Sequence, residues 1–383
     1  MSQPLYDLSP ALRLILTGAV LALAPLAWVW LRNPRAPGAR RLQALTLLTL
    51  FLTFDLVLFG AFTRLTDSGL GCPDWPGCYG SASPSGAQHQ IAQAQAAMPT
   101  GPVTHGKAWI EMVHRYLATA VGALIATLAA AAWLRRGRGD AVNPWWPTAT
   151  LAWVCLQGAF GALTVTMKLF PAIVTLHLLG GLVLLALLCR QVVAWDHQRQ
   201  DVKLAVIGPG ARAWLIAAFA LLWLQVALGG WVSTNYAVLA CTEFPGCQGS
   251  WWPTMDFRQG FELWRELGQT GAGEHITFAA LTAIHFTHRL LAYVVLAALG
   301  LVAWQLRKSG ALPALARWIG GLALWQLATG LSNVVLGWPL AAAVAHTGGA
   351  AALVVALTWA LCASRSAGAT APAGRLKARR LPT

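Results

Sequence analysis

The chain has 383 residues, of which 57% are hydrophobic and only 10% are charged. Soluble domains carry about 25% charged residues, so the composition excludes a soluble globular protein, a disordered chain, a collagen-like chain and a small disulfide scaffold. Lysine and arginine number 27 against 13 acidic residues, a formal net charge of +14. In so apolar a chain this excess indicates membrane topology rather than nucleic-acid binding, because basic residues collect in cytoplasmic loops.

Nine segments are long and apolar enough to cross a bilayer, which requires about 20 mostly apolar residues. We interpret the first as a retained helix and not a signal peptide. An arginine-rich segment follows it, and it is not followed by a small-residue cleavage site. The chain is therefore predicted to be an all-α integral membrane protein. The predicted spans are 11–31, 42–63, 109–134, 147–167, 172–194, 213–234, 276–305, 316–337 and 340–363.

The basic residues predict the orientation of these spans. When segment 32–41 is placed inside the cell and the spans alternate, 19 of the 27 basic residues fall on the inner side. The N-terminus and two long loops, 64–108 and 235–275, then lie outside. The basic tail 364–383 lies inside and is predicted to be disordered and able to touch anionic lipid.

An internal repeat divides the spans into two halves. Cys72-Pro-Asp-Trp-Pro-Gly-Cys78 resembles Cys241-Thr-Glu-Phe-Pro-Gly-Cys247 at a numbering offset of 169, and Gln157 and Gly161 match Gln326 and Gly330 at the same offset. Each half has four spans, the number that forms a bundle with a cofactor in its core. We predict two tandem pseudo-symmetric four-helix bundles plus one extra N-terminal transmembrane helix. The predicted units are 1–41 for the extra helix and its cytoplasmic loop, 42–195 and 196–363 for the two bundles, and 364–383 for the tail.

Four histidines occupy equivalent places in the repeat, each on a different span near its outer end. His177 and His346 share the offset of the cysteine motifs, and the offset between His114 and His288 is 174. Titratable residues inside a span are costly and are functional by default. Two imidazoles at one depth on facing helices suit the two axial positions of a haem iron, whereas zinc requires three or four converging ligands. The pattern favours one haem site in each half over a packing role.

Glu111 breaks the symmetry of the two halves. It precedes His114 by one helical turn, and the corresponding place before His288 holds His285. The difference predicts proton-linked chemistry in the first half and electron transfer in the second. Two alternatives stay open: Glu111 pairs with Arg115 at i+4, and His285 replaces His288 as a ligand.

Other charged residues in the spans leave two interpretations each. Arg115 and Arg289 follow the first histidine of each pair, and they either bind the propionates of a haem or reach for the outer surface. Asp55 is predicted to be buried in span 42–63, where it serves a proton path or pairs with a neighbouring helix.

The paired cysteines lie in the two outer loops. An oxidising compartment predicts the disulfides Cys72–Cys78 and Cys241–Cys247. They are either structural or redox-active, since exposed short-loop disulfides are reducible. Neither pair is part of a C-x-x-C-H sequence, so covalent c-type haem is excluded.

Two motifs resemble those of a known family. The sequence of residues 60–79, Gly-Ala-Phe-Thr-Arg-Leu-Thr-Asp-Ser-Gly-Leu-Gly-Cys-Pro-Asp-Trp-Pro-Gly-Cys-Tyr, resembles the first-loop signature of haem A synthases. Glu111-Met-Val-His-Arg115 resembles their second-helix motif, with Met112 where an aromatic residue is usual. The resemblance covers residues 42–363. It implies oxidation of the C8 methyl of haem O to a formyl group, giving haem A for cytochrome oxidase.

The resemblance also implies roles for residues and partners. His114 and His177 would flank the substrate haem, His288 and His346 would hold a resident haem B, and Glu111 would be the catalytic carboxylate. The implied location is the bacterial inner membrane, with the N-terminus periplasmic and the C-terminus cytoplasmic. Expected partners are haem O and haem A, a haem O synthase, cytochrome oxidase assembly factors, an electron donor, membrane lipid and a second copy of the chain, with no nucleic acid.

Two other functions fit the same histidine pattern. A di-haem b-type cytochrome would transfer electrons across the membrane through two equivalent sites, so the difference between Glu111 and His285 counts against it. A non-enzymatic haem carrier or assembly factor would suit the long outer loops with their cysteine pairs. The haems extracted from the purified protein distinguish these functions.

Overall fold

A computed structural model describes residues 9–137, 143–200 and 203–367, without the side chains of 198–200. Its helices are α1 (Ser9–Arg32), α2 (Gly38–Leu65), α3 (Gln88–Ala97), α4 (His105–Leu134), α5 (Trp145–Thr166), α6 (Pro171–Gln200), α7 (Pro209–Thr234), α8 (Phe257–Gly260), α9 (Phe278–Ser309), α10 (Pro313–Val335) and α11 (Leu340–Cys362). Its strands are β1 (Ala205–Ile207) and β2 (Ser364–Ser366).

The nine predicted spans correspond to the nine longest of these helices. Eight of them are long and apolar enough to cross a membrane. The ninth, α10, has 23 residues and is not one of these eight; Arg317, Gln326 and Asn333 interrupt its apolar sequence. The prediction of an all-α integral membrane protein with many spans is confirmed.

Helix contacts fall into two rings of four. In the first ring α4 contacts α2 and α5, and α6 contacts the same two helices from the other side. In the second ring α9 contacts α7 and α10, and α11 contacts them in turn. Between the rings α6 contacts α11, α6 contacts α7, and α11 contacts α2. These pairs are equivalent in the repeat, so the two halves meet around an approximate two-fold axis.

Two polar contacts join equivalent residues across this axis, at the ends of the helices that lead into the disulfide loops. Arg64 Nη2 donates to Ser233 O at 2.7 Å, and the Tyr236 hydroxyl donates to Asp67 Oδ1 at 2.6 Å, each pair being 169 residues apart. The Arg64 guanidinium also lies 4.1 Å from the centre of the Tyr236 ring. Partial burial raises the pKa of Tyr236, so the phenol remains a donor.

The extra helix α1 supports the first outer loop. It packs along α4 and, to a smaller extent, α2. Its Gly18 lies against Thr119 so closely that a side chain there would collide with it. At the outer end of α1, Leu14 belongs to the same buried cluster as Cys72 and Cys78. The loop that carries the first disulfide therefore rests on this helix.

A short strand pair lies at the end of the second half opposite its disulfide loop. β1 pairs in parallel with β2, and Arg212 donates to Leu361 O at 3.0 Å and to Ser364 O at 2.8 Å. The prediction of a disordered tail from 364 onward is wrong for these first residues, because β1 and Arg212 hold them. The rest of the tail, 368–383, lies outside the described residues.

Candidate functional site

Two of the four predicted histidines, His114 and His288, lie on helices whose first turns are capped by a threonine. Thr104 Oγ1 accepts a hydrogen bond from the Lys107 N–H at 3.2 Å at the start of α4. Thr277 Oγ1 accepts one from the Ala280 N–H at 3.3 Å at the start of α9. Such caps satisfy free amides and fix where a helix begins. They therefore set the depth of His114 and His288, which lie on these two helices.

Each of the two histidines that begin a pair faces a glycine of the neighbouring helix. A methyl group on Gly60 of α2 would lie 3.1 Å from His114 Cε1. A methyl group on Gly229 of α7 would lie 2.9 Å from His288 Cε1. Gly60 and Gly229 are equivalent positions of the repeat. The imidazole in each half therefore occupies space that only a glycine leaves free.

The second histidine of each pair repeats this arrangement. A methyl group on Gly161 of α5 would lie 3.4 Å from His177 Cε1, and one on Gly330 of α10 would lie 3.1 Å from His346 Cε1. All four imidazoles are half-buried. His114 lies close enough to His177 to interact electrostatically with it, and the same holds for His288 and His346. The structure thus brings the predicted residues together in two pairs, one in each ring of helices.

Three of the four imidazoles hold a buried nitrogen without a partner. Within the described residues, Nδ1 of His114, His177 and His288 has no hydrogen-bond partner. The fourth histidine differs, since His346 Nδ1 lies 2.9 Å from Thr329 Oγ1. The Thr329 hydroxyl donates to Trp325 O at 2.8 Å, so it accepts from the His346 ring. This contact leaves Nε2 of His346 with a free lone pair, the form that ligates a metal.

The predicted site carboxylate is anchored on both oxygens. Glu111 is buried, with 4% of its surface exposed. Its Oε1 pairs with Arg115 Nη2 at 2.5 Å, and its Oε2 accepts the Cys72 N–H at 2.8 Å. The i+4 ion pair considered from the sequence is therefore present, together with a link to the first disulfide loop that the sequence did not indicate.

Arg115 fixes the backbone of the first disulfide loop. Its Nη1 donates to Gly77 O at 2.5 Å and to Asp74 O and Pro76 O at 3.1 Å each. Several carbonyls that converge on one guanidinium hold a loop more firmly than a single bond would. The Arg115 side chain thus points into the loop, in a position that neither sequence interpretation described.

Arg289 does the same in the second half. It donates to Gly246 O at 2.7 Å and to Cys241 O at 3.3 Å. His285, which stands where Glu111 stands in the first half, is buried and donates from Nδ1 to Ala237 O at 3.0 Å. The two halves therefore hold their outer loops with the same arginine but with different neighbours.

Both predicted disulfides are present, and both are buried. Cys72 bonds to Cys78 and Cys241 to Cys247, with a Cα–Cα distance of 4.9 Å in each pair. All four cysteines have 0% exposure. In each loop a carboxylate within the motif accepts backbone amides, as Asp74 does from the Gly80 N–H at 2.8 Å. Burial of the sulfurs restricts access by external thiols.

The other intramembrane acid lies elsewhere. Asp55 is exposed on the surface of α2 and not buried, so the prediction of a buried carboxylate there was wrong. The helix turns that residue away from its ring, while Gly60, one and a half turns later, faces inward. Among the described residues, no three His, Cys, Asp or Glu side chains converge as a metal ion would require.

Comparison with known proteins gives consistent results. The family model COX15-CtaA, described as cytochrome oxidase assembly protein, matches residues 43–358. A protein of Shewanella oneidensis named heme A synthase is 38% identical over 320 residues, which is 81% of this chain and 92% of that protein. A protein of the same name from Rhizorhabdus wittichii is 28% identical over 86% of this chain and 96% of that protein. Another from Caulobacter vibrioides is 28% identical over 80% of this chain and 91% of that protein.

Proposed function

We propose that this chain, which belongs to the COX15-CtaA family of cytochrome oxidase assembly proteins, is a haem A synthase. It would be an oxidoreductase of the bacterial inner membrane that converts haem O to haem A. The N-terminus and both disulfide loops would face the periplasm, and the C-terminus the cytoplasm. The repeated pairing of an intramembrane histidine with a facing glycine carries the proposal, because it supports two haem sites in one chain.

The residues fit haem as a ligand in both halves. Each histidine pair provides two imidazoles at similar depth, and the facing glycines leave room beside the rings. Neutral imidazole nitrogens are ordinary axial ligands of haem iron. In a neutral ring that ligates iron through Nε2, the proton would stay on Nδ1.

We assign the substrate to the first ring of helices, residues 42–195, and the resident haem B to the second, residues 196–363. His114 and His177 would hold haem O with its C8 methyl group inside the first ring. His288 and His346 would hold haem B, which supplies one-electron transfer when bound. The Thr329 contact supports this division, because a ring held in one tautomer suits a permanent ligand.

Glu111 would hold a proton during the oxidation of the methyl group. The carboxylate lies one turn from His114 and is buried beside Arg115, which keeps a positive charge at 2.5 Å. When a C–H bond of the methyl group is broken, its electrons would go to the external oxidant, molecular oxygen, and its proton would go to Oε2, where the bond from the Cys72 N–H would weaken as the proton arrives. Arg115 and Arg289, from their contacts here, would position the outer loops rather than bind propionates.

The haems that co-purify with the protein test the function. We expect haem B together with haem O or haem A after expression in a host that makes haem O, identified by chromatography of the extracted pigments. Haem B alone would favour a b-type cytochrome. Haem O that purified protein with a reductant and oxygen leaves unconverted would favour a carrier. A haem O synthase, oxidase assembly factors and an electron donor are the further partners that this function would require.

Histidine variants test the division between the halves. His288→Ala should lose haem B, whereas His114→Ala should keep haem B and lose conversion of haem O. Glu111→Gln keeps the hydrogen-bonding shape and removes the charge, so conversion should fall by about 10²- to 10⁴-fold. His285→Gln at the equivalent position is the control and should convert at the parental rate. A parental rate in Glu111→Gln would rule out the proton role.

A further inference from the structure

An open apolar groove lies on the seam between the two halves. It is formed by α2 of the first ring and by α10 and α11 of the second, and its volume is about 770 Å³, within the usual range of ligand sites. Aromatic residues of all three helices line it, including Phe51, Phe54, Trp318 and Trp359. The described lining holds only apolar side chains. Any occupant of this groove is therefore held there by hydrocarbon contacts.

The repeat contains the same groove a second time, and there it is partly filled. The counterpart lies along α6 and α7, reaches the inner end of α11, and has a volume of about 390 Å³. Phe219 and Trp223 line it at the positions that Leu50 and Phe54 occupy in the first groove. At these two positions the second groove has the larger side chains, and its volume is about half that of the first.

A contact between an arginine and a tryptophan also lies at the inner end of the second groove. Arg190 lies 3.8 Å from the centre of the Trp146 ring. The equivalent residues of the first groove are Trp359 and Leu315, which line it and leave it open. The second groove is therefore narrower than the first, which has more room for an occupant.

Charge distinguishes the two ends of the open groove. Arg40 lies two turns before the lining residue Leu47, on the same face of α2 and closer to the predicted inner side of the membrane. Arg317 lies on α10 between the lining residues Leu315 and Trp318. Both arginines are exposed, and within the described residues neither side chain makes a hydrogen bond or ion pair. At the opposite end Asp55 is exposed on α2.

We propose that this groove binds an anionic phospholipid from the inner leaflet, on the side of the membrane predicted to hold most of the basic residues. Its acyl chains would lie between α2, α10 and α11, and its headgroup would sit beside Arg40 and Arg317. Basic sites between transmembrane helices on the cytoplasmic side bind anionic headgroups, whereas Asp55 would repel one at the other end. The lipid would thereby fill the seam on one side of the two-fold axis, as side chains do on the other.

Lipid titration of the purified protein tests the proposal. We would measure binding of dioleoylphosphatidylglycerol and dioleoylphosphatidylcholine by native mass spectrometry of the full chain in detergent. Phosphatidylglycerol should bind with the higher affinity. Leu50→Phe with Phe54→Trp, which copies the filled groove, should abolish that high-affinity binding. Arg40→Gln with Arg317→Gln should reduce the preference for phosphatidylglycerol, by about fivefold for each arginine.

Two matched controls distinguish this site from the general lipid surface. Leu324→Phe enlarges a side chain of α10 that is 69% exposed and lies outside the groove. Arg32→Gln removes an exposed arginine from the inner end of α1. Both should bind phosphatidylglycerol like the parent.

Equal binding of the two lipids by the parent would overturn the proposal, as would unchanged preference in the Arg40→Gln, Arg317→Gln variant. The second result remains informative if the groove-filling variant does not fold, because exposed arginines are replaced without any change in the core. The same loss of affinity in Arg32→Gln would show a diffuse charge effect and would also contradict a site.

Discussion

The glycines that face the histidines offer the sharpest perturbation of the candidate site. Gly229→Ala adds one methyl group in the second ring, 2.9 Å from His288 Cε1. Ordinary contacts of such a carbon begin at 3.4 Å, so the ring or the helix must move by about half an ångström. A ring displaced by that amount would no longer point at the position where the proposed haem iron would lie between His288 and His346.

The cost follows from overpacking. An extra methyl group in a packed interior costs about 1–3 kcal/mol. If this strain is present in the haem-bound protein and absent in the haem-free protein, haem affinity falls by roughly 5- to 150-fold. The four positions should form a series. Gly229→Ala should be most affected, Gly60→Ala and Gly330→Ala at 3.1 Å should be intermediate, and Gly161→Ala at 3.4 Å should be least affected.

Haem titration of the purified variants measures the effect, with bound haem read from its absorption spectrum. Gly300→Ala is the matched control, because Gly300 lies on α9 with His288 and a methyl group there meets nothing within 4 Å. It should keep parental haem affinity, and its helix should be more stable by about 0.5–1 kcal/mol. Parental affinity in Gly229→Ala, or an equal loss in Gly300→Ala, would refute the link between the glycines and the haem sites.

Two further perturbations test the outer loop and the extra helix. Arg115→Lys keeps the charge next to Glu111 but provides no planar guanidinium for the carbonyls of the loop, so limited proteolysis should cut the first disulfide loop faster. Arg289→Lys should make only the second disulfide loop more sensitive to proteolysis. Gly18→Val should separate α1 from Thr119 and lower the melting temperature, since overpacking costs about 1–3 kcal/mol, while the exposed α1 variant Leu12→Val should leave it unchanged.

The sequence predicts the spans and the disulfides because their physical causes are local. A bilayer requires about 20 apolar residues in a row whatever the tertiary fold, and the nine long helices follow the predicted spans. Closely spaced cysteines with proline and glycine between them allow few pairings, and both predicted disulfides form. The repeat also groups the four histidines into two pairs, which the helix contacts bring together.

The contacts that hold the site are not local, and the sequence alone did not predict them. Gly60 and Gly229 repeat at the same offset as Cys72 and Cys241, a signal that marks them as equivalent. Their contact with the imidazoles depends on the rotation of neighbouring helices, which periodicity does not fix. Arg115 likewise meets carbonyls whose direction depends on the whole loop backbone.

Exposure was mispredicted for the same reason. An acid in an apolar span is expected to face protein, because a charge in lipid is costly, yet Asp55 lies on the outer surface of α2. The rotation of α2 about its axis is set by the contacts that its small and apolar side chains make with α4, α6 and α11. A burial prediction from polarity alone cannot include these contacts.

One difference between the halves bears on the proposal that one haem stays bound and the other is converted. Thr329 Oγ1 accepts from His346 Nδ1, whereas the counterpart of Thr329 in the first half of the repeat is Phe160, which has no hydroxyl to offer. A hydrogen bond to the second nitrogen of a ligating imidazole raises its basicity and fixes its orientation, and its loss typically costs about 10- to 100-fold in metal affinity. In the proposed division, His346 would be suited to permanent ligation of haem B, whereas Nδ1 of His177, the equivalent ring, has no hydrogen-bond partner among the described residues.

Thr329→Val tests that reasoning. It keeps the shape of the side chain and removes the acceptor, so retention of haem B should fall by about 10- to 100-fold, and the reduction potential of the haem should rise because a less basic ligand favours the reduced iron. Thr347→Val is the control, since Thr347 follows His346 on α11 and its hydroxyl donates to Ala343 O. Potentiometric titration gives both values. Equal potentials in Thr329→Val and Thr347→Val would mean that the hydroxyl does not tune the ligand, and the assignment of the second ring would then depend on the His288→Ala result alone.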